Sequence, residues 1–127
     1  MQVKIDTKEK FHIITPIEQA LSATMTDGIK IVLLSYLQNA VKNVVFDMSN
    51  VTALDMAAAE QLLHIQQDFY ENNASFVSCC LMENVEAFLA DNELFELLNV
   101  APTISEASDI VQMEEIEREL MDDDVLG

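Results

Sequence analysis

The chain has 127 residues, with 6 Lys and Arg against 23 Asp and Glu, and its formal net charge is −17 at pH 7. This length suits one domain, and a hydrophobic fraction of 50% excludes a disordered acidic polypeptide. The charge is uneven, since residues 1–42 sum to +1 and residues 43–127 to −18, so we expect repulsion from nucleic acid and from anionic membrane surfaces.

The N-terminal residues predict two paired strands. Gln2–Asp6 alternates polar and apolar residues, and Phe11–Ile14 is β-branched and aromatic. Thr15–Glu18 fits a capping box that starts a helix. It fits a continued strand equally, because the residue before Pro16 is pushed toward extended geometry. We favour a strand followed by a loop.

Apolar residues at spacings of three and four predict a first helix, from Thr24 or Thr26 to Ala40. Its predicted inward residues are Ile29, Val32, Leu33, Tyr36, Leu37 and Ala40. Asn43 is predicted to end this helix. The apolar run Val44–Phe46 then suits a central strand that is covered on both faces.

Asp55 predicts the start of a second helix, because its carboxylate can accept the free N–H groups of the first turn. The predicted inward residues are Ala58, Leu62, Ile65 and Phe69, and the outward ones are Glu60, Gln61, His64, Gln67, Asp68 and Glu71. The elements predicted next are a strand over Ser75–Leu81, a helix over Glu83–Ala90, a helical turn over Leu94–Leu98 and an edge strand at Val100–Ala101.

The capping box Thr103–Glu106 predicts a last helix that ends near Met121. Its predicted inward residues are Ala107, Ile110, Val111, Ile116 and Leu120. Seven acids within residues 114–124 predict a solvated face and a frayed tail, which could otherwise dock a basic protein surface. The element order predicts a single α/β domain over residues 1–127, with a mixed sheet of four to five strands, about four helices and an acidic tail within 113–127.

Sites for common enzyme chemistry are not apparent in the sequence. Only two glycines are present, Gly28 and Gly127, so a glycine-rich phosphate loop cannot be built. His64 and Asp68 lie one helical turn apart and could form half of a metal site, but an exposed pair of this kind usually faces solvent. We therefore expect no catalytic residue, no metal and no cofactor.

The two cysteines, Cys79 and Cys80, are adjacent, which suits neither a disulfide framework nor the usual spacing of zinc ligands. In a strand they would point to opposite faces. We predict two reduced structural thiols, with a strained vicinal disulfide as the less favoured alternative. The chain shows no signal-peptide pattern at its N-terminus and no apolar run that could span a membrane, so we expect a cytoplasmic protein.

The segment VVFDMSNVTALDMAAAEQLL, residues 44–63, is the most informative part of the chain. It combines a buried strand, a polar strand end and a capping aspartate, Asp55, before an alanine-rich helix. Small side chains at Ala57, Ala58 and Ala59 leave the first helical turn open as a flat docking surface. For Ala58, tight packing of the helix on the sheet is an equally good interpretation.

This segment resembles the STAS family, the sulphate transporter and anti-sigma factor antagonist domain. Members read as two apolar residues and D-L-S-x-V-x-x-h-D-S-S-G-L, where h is apolar, and Val45–Asp55 matches the first part of this pattern. The element order and the Glu114–Leu120 segment also resemble those of small stand-alone members. The resemblance implies an interaction module that docks through Asp55, Met56, Ala57 and Ala58 rather than an enzyme.

The chain departs from the family pattern at the D-S-S-G positions. In the family, a partner kinase that is also an anti-sigma factor phosphorylates the second serine of this motif. The corresponding residue here is Ala57, and Met56 replaces the first serine. The resemblance therefore implies a module without the usual serine switch, with an anti-sigma factor of the kinase-like ATPase class as its partner. The alternative is a regulatory or structural subunit of a membrane transporter or of another multiprotein complex.

Overall fold

The computed structural model describes residues 2–126, with side chains described as far as Met121. The strands are β1 (Val3–Thr7), β2 (Phe11–Pro16), β3 (Ala20–Leu21), β4 (Asn43–Asp47), β5 (Ala53–Leu54), β6 (Phe76–Cys79) and β7 (Val100–Ala101). The α-helices are α1 (Ala23–Ser35), α2 (Met56–Glu71), α3 (Glu83–Asp91) and α4 (Ile104–Leu126). A 3₁₀ turn, Tyr36–Gln38, follows α1. The predicted α/β class is confirmed.

The main sheet has the strand order β1-β2-β4-β6-β7. β1 is antiparallel to β2, whereas β2, β4, β6 and β7 are mutually parallel neighbours. The short strands β3 and β5 form a separate parallel pair. The sheet is thus mixed and five-stranded, as predicted, and the carboxyl ends of its parallel strands lie along one edge.

Each face of the main sheet covers a separate hydrophobic core. The larger core contains residues of α1, α2 and α3 and includes the rings of Phe46, Phe69 and Phe76. The smaller core joins the opposite face to α4 through residues such as Val45, Val77 and Val111. Because β4 and β6 contribute to both cores, their apolar runs have the composition expected of central strands.

The first helix is shorter than predicted. Ser22 caps α1 by accepting the N–H of Met25 at 3.4 Å, and the α-helix gives way at Tyr36 to the tighter 3₁₀ turn. Ala40 lies beyond both helical segments and is exposed, so it does not belong to an inward stripe. Val32, predicted to face inward, is 41% exposed.

Asn43 does not end a helix but begins β4, where its side chain is buried. The amide of Asn43 donates to the Lys10 carbonyl at 3.0 Å and to Glu115 Oε1 at 2.9 Å. Its oxygen accepts the Ser75 backbone N–H at 2.8 Å. Burial of this amide is therefore compensated by hydrogen bonds, as buried polar groups require.

The last helix also differs from its prediction. The helical backbone of α4 continues to Leu126 instead of ending near Met121, because residues 114–121 contain good helix formers and neither glycine nor proline. Ile116 and Leu120, predicted to face inward, are 55% and 59% exposed. The core beneath α4 has Val111 as its last buried member, so the helix extends beyond the apolar face of the sheet.

Part of the acidic face of α4 is bonded to the domain rather than solvated. Arg118 donates to Asn43 Oδ1 at 3.3 Å and to Ser75 Oγ at 3.1 Å. The Tyr70 hydroxyl donates to Glu114 Oε1 at 2.7 Å, and burial together with this carboxylate raises the pKa of Tyr70. These bonds hold the middle of α4 against the rest of the domain where apolar contacts are lacking.

Arg118→Met is expected to lower the free energy of unfolding by about 1.5–3 kcal/mol, since both charge-assisted hydrogen bonds of the guanidinium are lost. Urea denaturation followed by circular dichroism measures the change. Glu117→Gln is the control, because Glu117 is exposed, and it should stay within about 0.5 kcal/mol of the wild type. Equal stability of the two variants would show that Arg118 does not anchor α4.

Candidate docking surface

The start of α2 is fixed by its capping residue. Asp55 follows β5 in an extended conformation (φ −89°, ψ 171°), and its Oδ1 accepts the Ala58 N–H at 2.7 Å. The Asp55 N–H donates to the Leu21 carbonyl at 3.2 Å, so the cap is also held by β3. The predicted helix start is confirmed, and the first turn is firmly positioned next to the β3–β5 pair.

Two residues in the first turn of α2 are exposed to solvent. Met56 is 38% exposed and Ala57 is exposed, whereas Ala58 and Ala59 are fully buried in the larger core. Ala58 therefore packs the helix on the sheet, and its side chain cannot contact a partner. The candidate docking surface consists of Asp55, Met56 and Ala57.

A shallow groove of about 310 Å³ lies beside this surface, and no sequence pattern indicates it. Its lining residues are Ala20, Leu21, Ser22, Ala53, Leu54 and Asp55. It forms because β3 and β5 pair in parallel, with Leu21 opposite Leu54. This pairing joins chain segments more than thirty residues apart, so local periodicity could not predict it.

The loop between β4 and β5 is fastened on both sides. The Thr52 hydroxyl and the Thr52 N–H both donate to the Gln19 carbonyl, at 3.2 and 2.7 Å. The Asn84 amide donates to the Thr52 carbonyl at 2.6 Å. Ser49, exposed at the end of β4, donates its N–H to Asp47 Oδ1 at 2.9 Å. The D-M-S element thus turns the chain toward the docking surface.

His64 and Asp68 do not form a metal site among the residues that the structure describes. His64 is exposed, and the only group of three candidate ligands within that part of the chain lies elsewhere, at Asp47, Cys79 and Cys80. His12 is a buried residue of β2. Its Nε2–H donates to the Val41 carbonyl and its Nδ1 accepts the Thr7 hydroxyl, each at 2.9 Å.

The two cysteines are free thiols. The prediction that their side chains point to opposite faces of the sheet is wrong. Cys80 follows β6 with a positive φ of 62°, so the alternation of the strand ends at Cys79. Both side chains therefore lie on the α4 side of the sheet, with their Sγ atoms 3.6 Å apart. Burial raises the pKa of both thiols.

Asp55→Ala is expected to lower the free energy of unfolding by about 1 kcal/mol, because the Ala58 N–H loses its acceptor at the helix start. Thermal and urea unfolding measure the loss. Asp55→Ser, which keeps a capping oxygen, should recover most of it. If the alanine variant is as stable as the serine variant, the carboxylate does not cap α2 in solution.

Comparison with known proteins identifies the family to which this fold belongs. The STAS domain family model matches residues 2–107, so the chain belongs to the STAS domain family. A comparison with curated protein sequences found no significant match. None of the helices within residues 2–126 is both long and apolar enough to cross a membrane.

Three solved structures illustrate the likeness. A putative anti-sigma factor antagonist from Thermotoga maritima is 20% identical, with a TM-score of 0.75 over 87% of this chain and 94% of that one. A serine-to-glutamate variant of RsbS from Moorella thermoacetica is 19% identical, with a TM-score of 0.73 over 93% of this chain and 99% of RsbS. The murine Slc26a9 anion transporter is 15% identical, with a TM-score of 0.67 over 82% of this chain but 18% of the transporter. At these identities the likeness establishes the fold.

Proposed function

We propose that this STAS domain is a non-enzymatic protein-interaction module that works as anti-sigma factor antagonists do. Its docking surface is the first turn of α2, formed by Asp55, Met56 and Ala57. The observation that carries the proposal is the exposure of Met56 and Ala57 on a helix start that Asp55 holds rigidly. An exposed methionine is an adaptable apolar contact, and a rigid surface loses little entropy when it binds.

The position that carries the family's phosphoserine is Ala57, which has no hydroxyl. Its side chain is exposed, so the absence of a hydroxyl rather than burial would prevent modification there. Met56 lacks a hydroxyl as well. The module would then remain competent for its partner at all times, and any regulation would act through the partner or at another residue.

The proposed partner is a protein with a basic or apolar docking face, of the kinase-like ATPase class of anti-sigma factors. The charge of −18 over residues 43–127 favours a basic counterpart and opposes nucleic acid and anionic lipid. Charge of this kind mainly accelerates association, while Met56 and Ala57 would supply the apolar contact. A cytoplasmic location is part of the same proposal.

The alternative, a subunit attached to a transporter, has less support. The likeness to the putative anti-sigma factor antagonist from Thermotoga maritima, at 20% identity and a TM-score of 0.75, is stronger than the likeness to the murine transporter, at 15% and 0.67. This difference supports an interaction domain of the antagonist kind.

Affinity capture from the source organism tests the proposal. The bait proteins are the wild type, the double variant Met56→Glu/Ala57→Glu, and the matched control Gln112→Glu/Met113→Glu, whose two residues are exposed neighbours on α4. We expect the wild type and the control to retain the same protein, and the α2 variant to lose it. Retention of the same partner by the α2 variant would show that the docking surface lies elsewhere.

A further inference from the structure

A second cluster of reactive side chains lies away from the docking surface, on the opposite face of the main sheet. Asp47 ends β4 and Cys79 ends β6, and the two residues are paired in register on these neighbouring parallel strands. Cys80 follows directly. One oxygen of Asp47 and the two sulfurs all lie within 4.8 Å of one another.

The distance between the two sulfurs suits a tetrahedral metal ion. Two thiolates bound to one zinc at about 2.3 Å each lie about 3.8 Å apart when the geometry is tetrahedral. The Sγ atoms of Cys79 and Cys80 are 3.6 Å apart. Linear two-coordinate binding of a monovalent ion would require a wider separation and would not use the Asp47 carboxylate.

The positive φ of Cys80 produces this arrangement. At φ 62° a residue other than glycine is in the sparsely populated left-handed region, which proteins retain where the surroundings impose it. In a continued strand, the Cys80 thiol would lie on the other face of the sheet. The turn brings it instead next to Cys79, under the first residues of α4.

The surroundings of the cluster favour a cation. Asp47 is only 8% exposed, and among the residues that the structure describes no lysine or arginine pairs with it. A buried carboxylate without a positive partner is unfavourable. Its Oδ2 accepts the Thr15 hydroxyl at 3.3 Å and its Oδ1 the Ser49 N–H at 2.9 Å, which orients the group and leaves a lone pair on each oxygen.

The remaining contacts also fit metal ligation. Cys79 is fully buried, whereas Cys80 is partly exposed and offers the path by which an ion would enter.

We propose that Asp47, Cys79 and Cys80 form a zinc site with two sulfur ligands and one oxygen ligand. The fourth position would be open to water or to a ligand from another molecule. Thiolates exclude hard cations such as Mg²⁺, and the carboxylate together with tetrahedral spacing favours Zn²⁺. The site belongs to the α4 side of the sheet and is independent of the docking surface on α2.

Metal binding by the reduced 127-residue chain tests the proposal. The protein is dialysed against Zn²⁺ in excess Mg²⁺, which occupies surface carboxylates, and bound zinc is measured by elemental analysis. A parallel titration with Co²⁺ reports sulfur ligation through the thiolate-to-cobalt charge-transfer absorption. Because the chain has only two cysteines, any such absorption must come from Cys79 or Cys80.

We expect about one zinc per chain and a charge-transfer band in the wild type. Cys80→Ser, at a partly exposed position that should not affect folding, should weaken zinc binding by at least about 100-fold, because a ligand is lost. Asp47→Asn should also weaken it, while His64→Gln should bind like the wild type. Absence of the cobalt band, or zinc binding that survives Cys80→Ser, would overturn the proposal, as would loss of zinc in His64→Gln.

Discussion

Ala57→Ser is expected to convert the chain from a protein that a kinase-type anti-sigma partner leaves unmodified into one that accepts about one phosphate per chain. The side chain at this position is exposed on the first turn of α2. Under the proposed function, Ala57 is the counterpart of the family's phosphoserine. Serine would restore the missing hydroxyl without adding bulk. The phosphate would bring about −2 charges to the surface and weaken partner binding by at least about 30-fold, or about 2 kcal/mol.

Intact-protein mass spectrometry after incubation with the purified partner and ATP measures this conversion. Ala87→Ser is the matched control, since it places a serine at an exposed position on α3, and it should remain unmodified. A phosphate on wild-type residues 50–64 would contradict the prediction, because Thr52 or His64 would then have to carry it. So would an unmodified Ala57→Ser variant that binds an active kinase.

Phe76→Ala is expected to be the most destabilising single truncation in the domain, with a loss of about 3–5 kcal/mol. The Phe76 ring is fully buried in β6 and lies between two other rings, 5.7 Å from Phe46 and 5.2 Å from Phe69 by ring centroids. Its removal leaves a cavity where the sheet meets α2. For a domain with a typical stability of about 5–15 kcal/mol, this is a large fraction of the total.

Urea denaturation gives the free energy of unfolding for this comparison. Phe95→Ala removes the same atoms from a half-buried ring at the edge of the larger core. It should lower the free energy of unfolding by less than half as much as Phe76→Ala. Similar losses for the two variants would mean that the three-ring cluster does not form the centre of the core.

The elements that depend on neighbouring residues could be predicted from the sequence. Asp55 caps α2 with its own side chain, and Thr103 accepts the Glu106 N–H at 3.1 Å at the start of α4. The central strands could be recognised from their continuous apolar runs, since both faces of β4 and β6 are covered. In these cases a few consecutive residues contain all the interactions that determine the structure.

Features that depend on distant residues were mispredicted or missed. The helical spacing of Ile116 and Leu120 predicts that both face inward, yet both are exposed. Periodicity does not reveal where the facing sheet ends. Arg118 is separated from Asn43 by 75 positions and from Ser75 by 43 positions in the sequence. No local pattern can therefore predict these hydrogen bonds. The many acidic residues of α4 predict a solvated face, although its middle is anchored by these hydrogen bonds.

The candidate sites show the same division. Exposure of Met56 and Ala57 follows from the helical period once Asp55 fixes the helix start, whereas Ala58 could be assigned to the core only when the sheet was in place. The convergence of Cys79 and Cys80 could not be predicted, because it depends on a single positive φ just after a strand. Strand alternation predicts that Cys80 faces the side of the sheet opposite to Cys79, which is wrong.

Hydrogen–deuterium exchange of the free protein and of its complex with the captured partner tests the central claim most directly. The N–H groups of Met56 and Ala57 lie in the first turn of α2, where the helix offers them no carbonyl partner, so they should exchange rapidly in the free protein. We expect the partner to slow exchange in peptides covering residues 50–64 and to leave residues 108–121 unchanged. Protection confined to α4, with residues 50–64 exchanging as in the free protein, would contradict the assignment of the docking surface.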